Sequence, residues 1–186
     1  MSKADRTRAA LREVALRHFV SNGFEAASVP AIAAEVGVTE RTFYRHFATK
    51  DEVLFGDVAD RLAWFATAMR ERPEDEDLVR SVLAALGSAP TDPQLLAEIA
   101  RLRTELLSAD RIERTFRDRQ GAMATELRTI LTERGDSRLD AAVRAEVVAG
   151  AVFAALSVWT EGPEPRDLTG LADLTQQALE RVRPAL

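Results

Sequence analysis

Apolar residues recur at three- and four-residue steps along most of this chain, with Leu11, Val14, Ala15 and Phe19 near the start and Leu78, Val82 and Leu86 later. That spacing puts them on one face of a helix. No two-residue alternation marks a strand, so the expected fold class is all-α. A first helix is expected over about 4–21, ended by Asn22-Gly23, where glycine readily takes a left-handed backbone. A second starts from Ser28 as N-cap, tolerates Pro30 in its first turn and stops before Gly37. The third follows Thr39 as N-cap and ends near Phe47. Thr49 and Glu52 have the spacing of a capping box, which announces a fourth helix near 50–71. The rest reads as helices near 75–87, 92–107, 110–134, 138–160 and 166–183, punctuated by Pro73, Pro90, Pro93, Gly135 and the stretch Glu161 to Pro165.

Two short helices joined by a glycine turn, with a third packed across them, make a helix-turn-helix. The expected organisation is a head over 1–50 and a helical-bundle body over 51–186, joined by a shared fourth helix instead of a flexible linker. With 186 residues, 46% of them hydrophobic, the chain can bury a substantial core. The longest apolar run, Val147 to Trp159, has the length of a core helix and falls short of the roughly 20 residues of a membrane span. The first residues lack the apolar centre of a signal peptide. The expected protein is soluble and cytoplasmic, with no membrane partner. The absence of cysteine removes disulfides, thiolate zinc sites and thiol nucleophiles together.

Net charge is −5, but residues 1–50 carry eight Lys or Arg against five Asp or Glu, and the remainder 17 against 25. A head at +3 and a body at −8 suggest that the head meets an anion. Within the head, Val29, Ile32, Val36, Val38, Phe43 and Phe47 are spaced to close a small core. The polar residues between them, in Val36 to Val53, include hydroxyl, aromatic and basic side chains on one short helix.

The segment GFEAASVPAIAAEVGVTERTFYRHFATKDEVL, Gly23 to Leu54, resembles the DNA-binding head of the tetracycline-repressor (TetR) family. The shared features are the glycine turns, Ile32-Ala33, Gly37-Val38-Thr39, Tyr44, His46-Phe47 and Lys50. The resemblance implies a homodimeric, ligand-responsive transcriptional regulator, a repressor that binds double-stranded palindromic operator DNA and leaves it when a small apolar or amphipathic effector binds. It implies DNA-binding roles for Ser28, Thr39, Glu40, Arg41, Thr42, Tyr44, Arg45, His46 and Lys50. Ser28 and Thr39 are caps first, but a helix N-terminus also binds phosphate, so the roles are compatible. Arg41 and Thr42, in the exposed N-terminal half of a recognition helix, are placed to read bases, Arg pairing with guanine and the Thr methyl meeting thymine. Glu40 caps, accepts from cytosine or orients Arg41. The family's matching tyrosine reaches the DNA backbone; the alternative for Tyr44 is a half-buried core ring. Lys50, read as lying in the first turn of its helix, makes sense there if an external anion offsets the dipole. Arg45 and His46 reach flanking phosphates, or His46 is structural, as His18 is expected to be. The sequence departs from the family at Arg41, where glycine is frequent, and at Ala27 and Pro30.

A helical-bundle enzyme acting on a small apolar substrate is the alternative. Its signatures are missing: the residues three before His18 and His46 are Ala15 and Phe43, so no Glu-x-x-His metal pair exists, and no G-x-G-x-x-G, Walker A or G-x-S-x-G loop appears. No cofactor and no metal are expected. The Ala- and Gly-rich run 147–159 and the amphipathic Leu171 to Val182 suit a four-helix dimer interface. The candidate pocket residues are Trp64, Met69, Leu102, Leu106, Phe116, Arg119, Met123 and Leu127, with Leu83 among other apolar positions and Arg103 or Gln120 as further polar anchors.

Overall fold

The computed structural model describes residues 3–90, 93–163 and 167–186, and every regular element among them is helical. The head comprises α1 (Lys3–Asn22), α2 (Val29–Val36) and α3 (Glu40–His46). The body follows as α4 (Glu52–Arg70), α5 (Leu78–Gly87), α6 (Pro93–Leu106), α7 (Ala109–Glu133), α8 (Arg138–Glu161) and α9 (Leu168–Val182), closed by a 3-10 turn at Arg183–Ala185. The expected helix starts at 92 and 166 lie outside the described residues.

Local chemistry sets the head. Ser28 Oγ accepts from the Ala31 N–H at 3.4 Å and Thr39 Oγ1 from the Thr42 N–H at 3.2 Å, so both caps hold α2 and α3 at their first turns. Gly37, at φ +75°, ends α2 in the left-handed region. Its N–H bonds Ala34 O at 3.0 Å and the Val38 N–H bonds Ala33 O at 2.9 Å, which turns the chain at once into α3.

Two expected starts move. α5 begins at Leu78, because Asp77 caps it by accepting from the Arg80 N–H at 3.0 Å, and Pro73 to Glu76 forms the preceding turn. The expected Thr49–Glu52 capping box does not form: α4 begins at Glu52 after Asp51, whose side chain makes no cap bond. The carboxylates are drawn to cations of α7 instead. Asp51 pairs with Arg111 at 2.9 Å and Glu52 with Arg119. Lys50 therefore lies before α4, not in its first turn.

Packing joins head and body in one buried cluster that runs from Leu11 through Phe43, Phe47 and Phe55 to Leu179. Phe116 of α7 is its junction, lying edge-to-face with Phe55 of α4 at 6.0 Å and with Phe153 of α8 at 6.2 Å. Ala141, Ala145, Val148 and Ala149 of α8 are buried toward the core between α7 and α9. α8 is, among the described residues, the one helix long and apolar enough to cross a membrane. One of its faces is occupied by this packing; the other carries Leu139, Val143 and Val158 exposed to solvent.

Two tests follow from this packing. Phe116→Ala opens a void where three helices meet, and urea unfolding should show a loss of about 3–5 kcal/mol, against a smaller loss for Phe116→Leu. At the α4–α5 connection, Arg72 and then Ser81, whose buried hydroxyl donates to Glu76 Oε2 at 2.6 Å, hold the Glu76 carboxyl down to about 2 from its ordinary 4.5. A depressed carboxyl stabilises the fold above its unfolded value and stops doing so as pH falls through the folded one. The melting-temperature gap between the unsubstituted chain and Glu76→Gln should therefore be full at neutral pH and close between pH 4.5 and about 2.

Candidate nucleic-acid interface and body cavity

Phe43 and Phe47 are fully buried, which fixes the rotation of α3 about its axis and turns Glu40, Arg41, Tyr44 and Arg45 outward on the opposite face. Arg41 and Arg45 make no hydrogen bond or ion pair among the described residues, so two guanidiniums stand toward solvent on one short helix. The Tyr44 ring lies edge-on against Phe43 at 5.5 Å and the residue is 45% exposed. Ser28 and Thr39 are exposed at the first turns of α2 and α3, while Thr42 is half-buried with its hydroxyl 3.0 Å from that of Thr39. Glu40 occupies the first position of α3, where the dipole favours a carboxylate.

Two residues of the expected set sit differently. His46 is half-buried and its Nε2 is buried without a partner. Desolvation, followed by the charges of Arg45 and Arg8, lowers its pKa below the ordinary histidine value. A neutral, inward nitrogen is no cation for phosphate. Lys50 Nζ donates to the carbonyls of Glu25 and Ala27 at 3.1 and 3.3 Å and lies over the Phe24 ring at 4.6 Å. These carbonyls close the turn between α1 and α2, so Lys50 fastens that turn to the start of α4, and the internal acceptors provide the compensation that was expected from an external anion. His18 Nε2 lies 2.8 Å from Glu35 Oε2, joining α1 to α2. Its hydrogen bond leads the causes that hold the Glu35 carboxyl below its usual range.

The body contains a cavity of about 330 Å3 between α4, α5, α6, α7, α8 and α9, at the lower end of the range for small-molecule sites. Val58 and Leu62, Leu83 and Leu86, Leu156 and Trp159, and Leu171 form apolar walls, with Arg61, Arg103 and Thr175 as polar lining. Met123, Leu83 and Arg103 of the expected positions lie there. The others do not. Met69 and Leu127 are fully buried, Leu102 and Phe116 nearly so, in the packed core; Leu106 packs against that core from its edge. Trp64 is 43% exposed, its indole N–H bonded to Ser88 Oγ at 2.9 Å. Arg119 is held by Glu52 beside a separate open groove between α4 and α7. Gln120 lies against Gly150 of α8. Periodicity marks every inward residue alike, and it cannot separate packed positions from those beside a void. The further walls come from α4 and α5, through Val58, Leu62 and Leu86, and from α8 and α9, whose apolar residues were expected at a dimer interface.

With this geometry in place, comparison with known proteins is informative for the head. Residues 11–56 match the family described as bacterial regulatory proteins, tetR family. The chain is 37% identical over 83 residues to the HTH-type transcriptional regulator TcmR of Streptomyces glaucescens, a stretch covering 45% of this chain and 37% of that protein. It is 36% identical over 81 residues to MftR of Mycobacterium tuberculosis, whose name assigns it to regulation of mycofactocin biosynthesis, covering 42% of this chain and 41% of that protein. The chain thus spans about two fifths of the length of either relative it matches. A transcriptional regulator from Rhodococcus sp. Rha1 overlaps 99% of this chain and 97% of its own at 20% identity and a TM-score of 0.49, too loose a likeness to carry an argument. The matched family is one of regulatory proteins and not of enzymes. Over residues 11–56, the helix-turn-helix head of this chain matches the tetR family of bacterial regulatory proteins.

Proposed function

We propose that the chain is a dimeric transcriptional regulator, a repressor whose head, residues 1–50, holds a palindromic operator and whose body, residues 51–186, releases it when a small apolar or amphipathic molecule enters the cavity. The observation that carries this reading is the outward face of α3, where Arg41 and Arg45 have no partner among the described residues beside an exposed Tyr44. Arg41 is the base reader, with Thr42 and Glu40 beside it. Arg45, Tyr44 and the capped starts at Ser28 and Thr39 hold phosphates. Lys50 contributes by fastening the turn behind α2 and His46 by packing, so neither is a direct contact in this account. The protein works in the cytoplasm, where its DNA is.

Dimerisation is assigned to the outer face of α8 with α9. Leu139, Val143 and Val158 are 72%, 47% and 56% exposed, and Val147, Gly150 and Ala154 continue the same helical stripe at three- and four-residue steps. Small residues on that stripe allow a second helix to approach closely, and a two-fold axis there would present two heads to the two halves of a palindrome. Effector release then requires that the ligand favour a body arrangement whose two α3 helices no longer match successive major grooves.

Fluorescence anisotropy on a duplex selected for tight binding and on its scrambled counterpart tests the interface. Arg41→Ala should cost about 1–3 kcal/mol per half-site on the selected duplex and much less on the scrambled one. Arg45→Ala should weaken both alike and make the log K against log salt slope shallower by roughly two units for a dimer. Equal losses from Arg41→Ala on both duplexes would move base reading to Thr42 or Glu40. For the interface between copies, Val143→Arg with Val158→Arg should give a monomer by light scattering with unchanged helix content; a persisting dimer would place the contact elsewhere. Removing residues 166–186 is the poorer test, since it strips the fully buried Leu179 from the core.

A further inference from the structure

The turn between α1 and α2 is where α7 reaches into the head. Gly23, at φ +80°, opens this turn, and the Ala27 N–H closes it on Gly23 O at 3.2 Å. Phe24 folds inward to 3% exposure, edge-to-face with Phe19 at 4.9 Å. Ser28 caps α2 directly afterwards, and Gly37 turns α2 into α3. Whatever holds the turn therefore sets the direction in which α2 and α3 leave it.

Arg111, in the first turn of α7, holds it from the body. Its Nη1 donates to Glu25 Oε1 at 2.7 Å, 86 residues earlier in the chain, and its Nη2 to Asp51 Oδ2 at 3.1 Å, just before α4. The guanidinium carbon lies 4.8 Å from the centre of the Phe24 ring. One planar group thus meets the turn before α2 and the exit into α4 together. A cation in the first turn of a helix runs against the helix dipole, and the two carboxylates offset that cost. Little stability follows, since the Glu25 side chain is 82% exposed and exposed ion pairs contribute little. What a guanidinium adds is direction: its donors are fixed in one plane, so two carboxylates and a ring face at different bearings constrain rotation about the turn.

We propose that Arg111 is a positioning residue for operator binding: it sets the angle of the head on the body, and so the separation at which the two α3 helices of a dimer meet DNA. The inference rests on the dimeric, palindrome-binding reading above and deepens it. Arg111 touches no base and no phosphate in this account. In a two-fold dimer an error in the head angle appears twice, once in each copy. DNA reads that error as spacing, because each base pair added between half-sites moves the second by about 3.4 Å and turns it by roughly a tenth of a helical turn. Loosening the head should therefore cost spacing discrimination before it costs base reading.

The full chain is titrated by fluorescence anisotropy onto a duplex selected for tight binding by the unsubstituted protein, and onto versions with one or two base pairs added or removed at its centre. The unsubstituted chain should favour the selected spacing over its neighbours by at least about tenfold. Arg111→Gln should shrink that ratio to about threefold or less, or move the optimum by a base pair, with the log K against log salt slope unchanged. Glu25→Gln, which removes one of the bonds from an exposed side chain, should shrink the ratio in part. An Arg111→Gln protein that loses affinity by one factor on every spacing has lost stability and not position, which overturns the inference. A shallower salt slope would make Arg111 a phosphate contact and overturns it as well. A spacing preference that Arg111→Gln leaves intact strikes this inference alone, whereas an unsubstituted chain that binds every spacing alike strikes the palindrome reading and the inference together. Should Arg111→Gln lose its helical circular dichroism, Glu25→Gln decides alone.

Discussion

The start of α4 is the constraint on which the arrangement depends, because this turn leaves the head and enters the body within three residues. It is gripped from two other helices. Arg103 of α6 bonds the Leu54 carbonyl at 2.5 Å; from α7, Arg111 reaches Asp51 at 2.9 Å and Glu25 at 2.7 Å, and Arg119 reaches Glu52. The far end is held too, with Arg134 donating to Met69 O at 2.5 Å and to Arg72 O at 3.1 Å. Exposed ion pairs of this kind add little stability singly, and Glu25 is largely in water. Their effect is orientation. Together with the buried Phe55–Phe116–Phe153 contacts they tie the orientation of α4 to α6, α7 and α8.

How much of this was legible in the sequence depends on the range of the interaction. The caps at Ser28 and Thr39 and the turns at Gly23 and Gly37 were readable because each is decided by residues within a few positions. The face of α3 was readable for the same reason: Phe43 and Phe47 fix it four residues apart. The start of α4 was not, since Thr49 and Glu52 are spaced as a capping box but Arg119, 67 residues further on, takes the carboxylate. Lys50 failed in the same way, through carbonyls that lie more than twenty residues earlier in the chain.

The cavity shows the limit most clearly. Leu127 and Met69 carry the same periodic signal as Leu86 and Leu156, yet the first pair is packed solid and the second faces empty space. A void is a mismatch between faces of helices distant in sequence, and no single helix encodes it. Arg103 was the one hint available: a cation at an inward position in an apolar helix face must have something to compensate it. α8 meets both demands at once, with Ala141, Ala145, Val148 and Ala149 turned toward α7 and α9 and Leu139, Val143 and Val158 turned out.

The contact of Arg111 with the head has a consequence for anyone recombining regulators. The guanidinium lies 4.8 Å from the Phe24 ring centre on a turn that Lys50 also fastens from 4.6 Å. A foreign head grafted onto this body at residue 50 would bring its own recognition helix but not the matching aromatic ring and acid beneath the body's α7. Portability of DNA specificity is thus limited by the underside of the head, and a working chimera would need to keep Phe24 and Glu25 in the grafted head to meet Arg111, with Asp51 already supplied by the body.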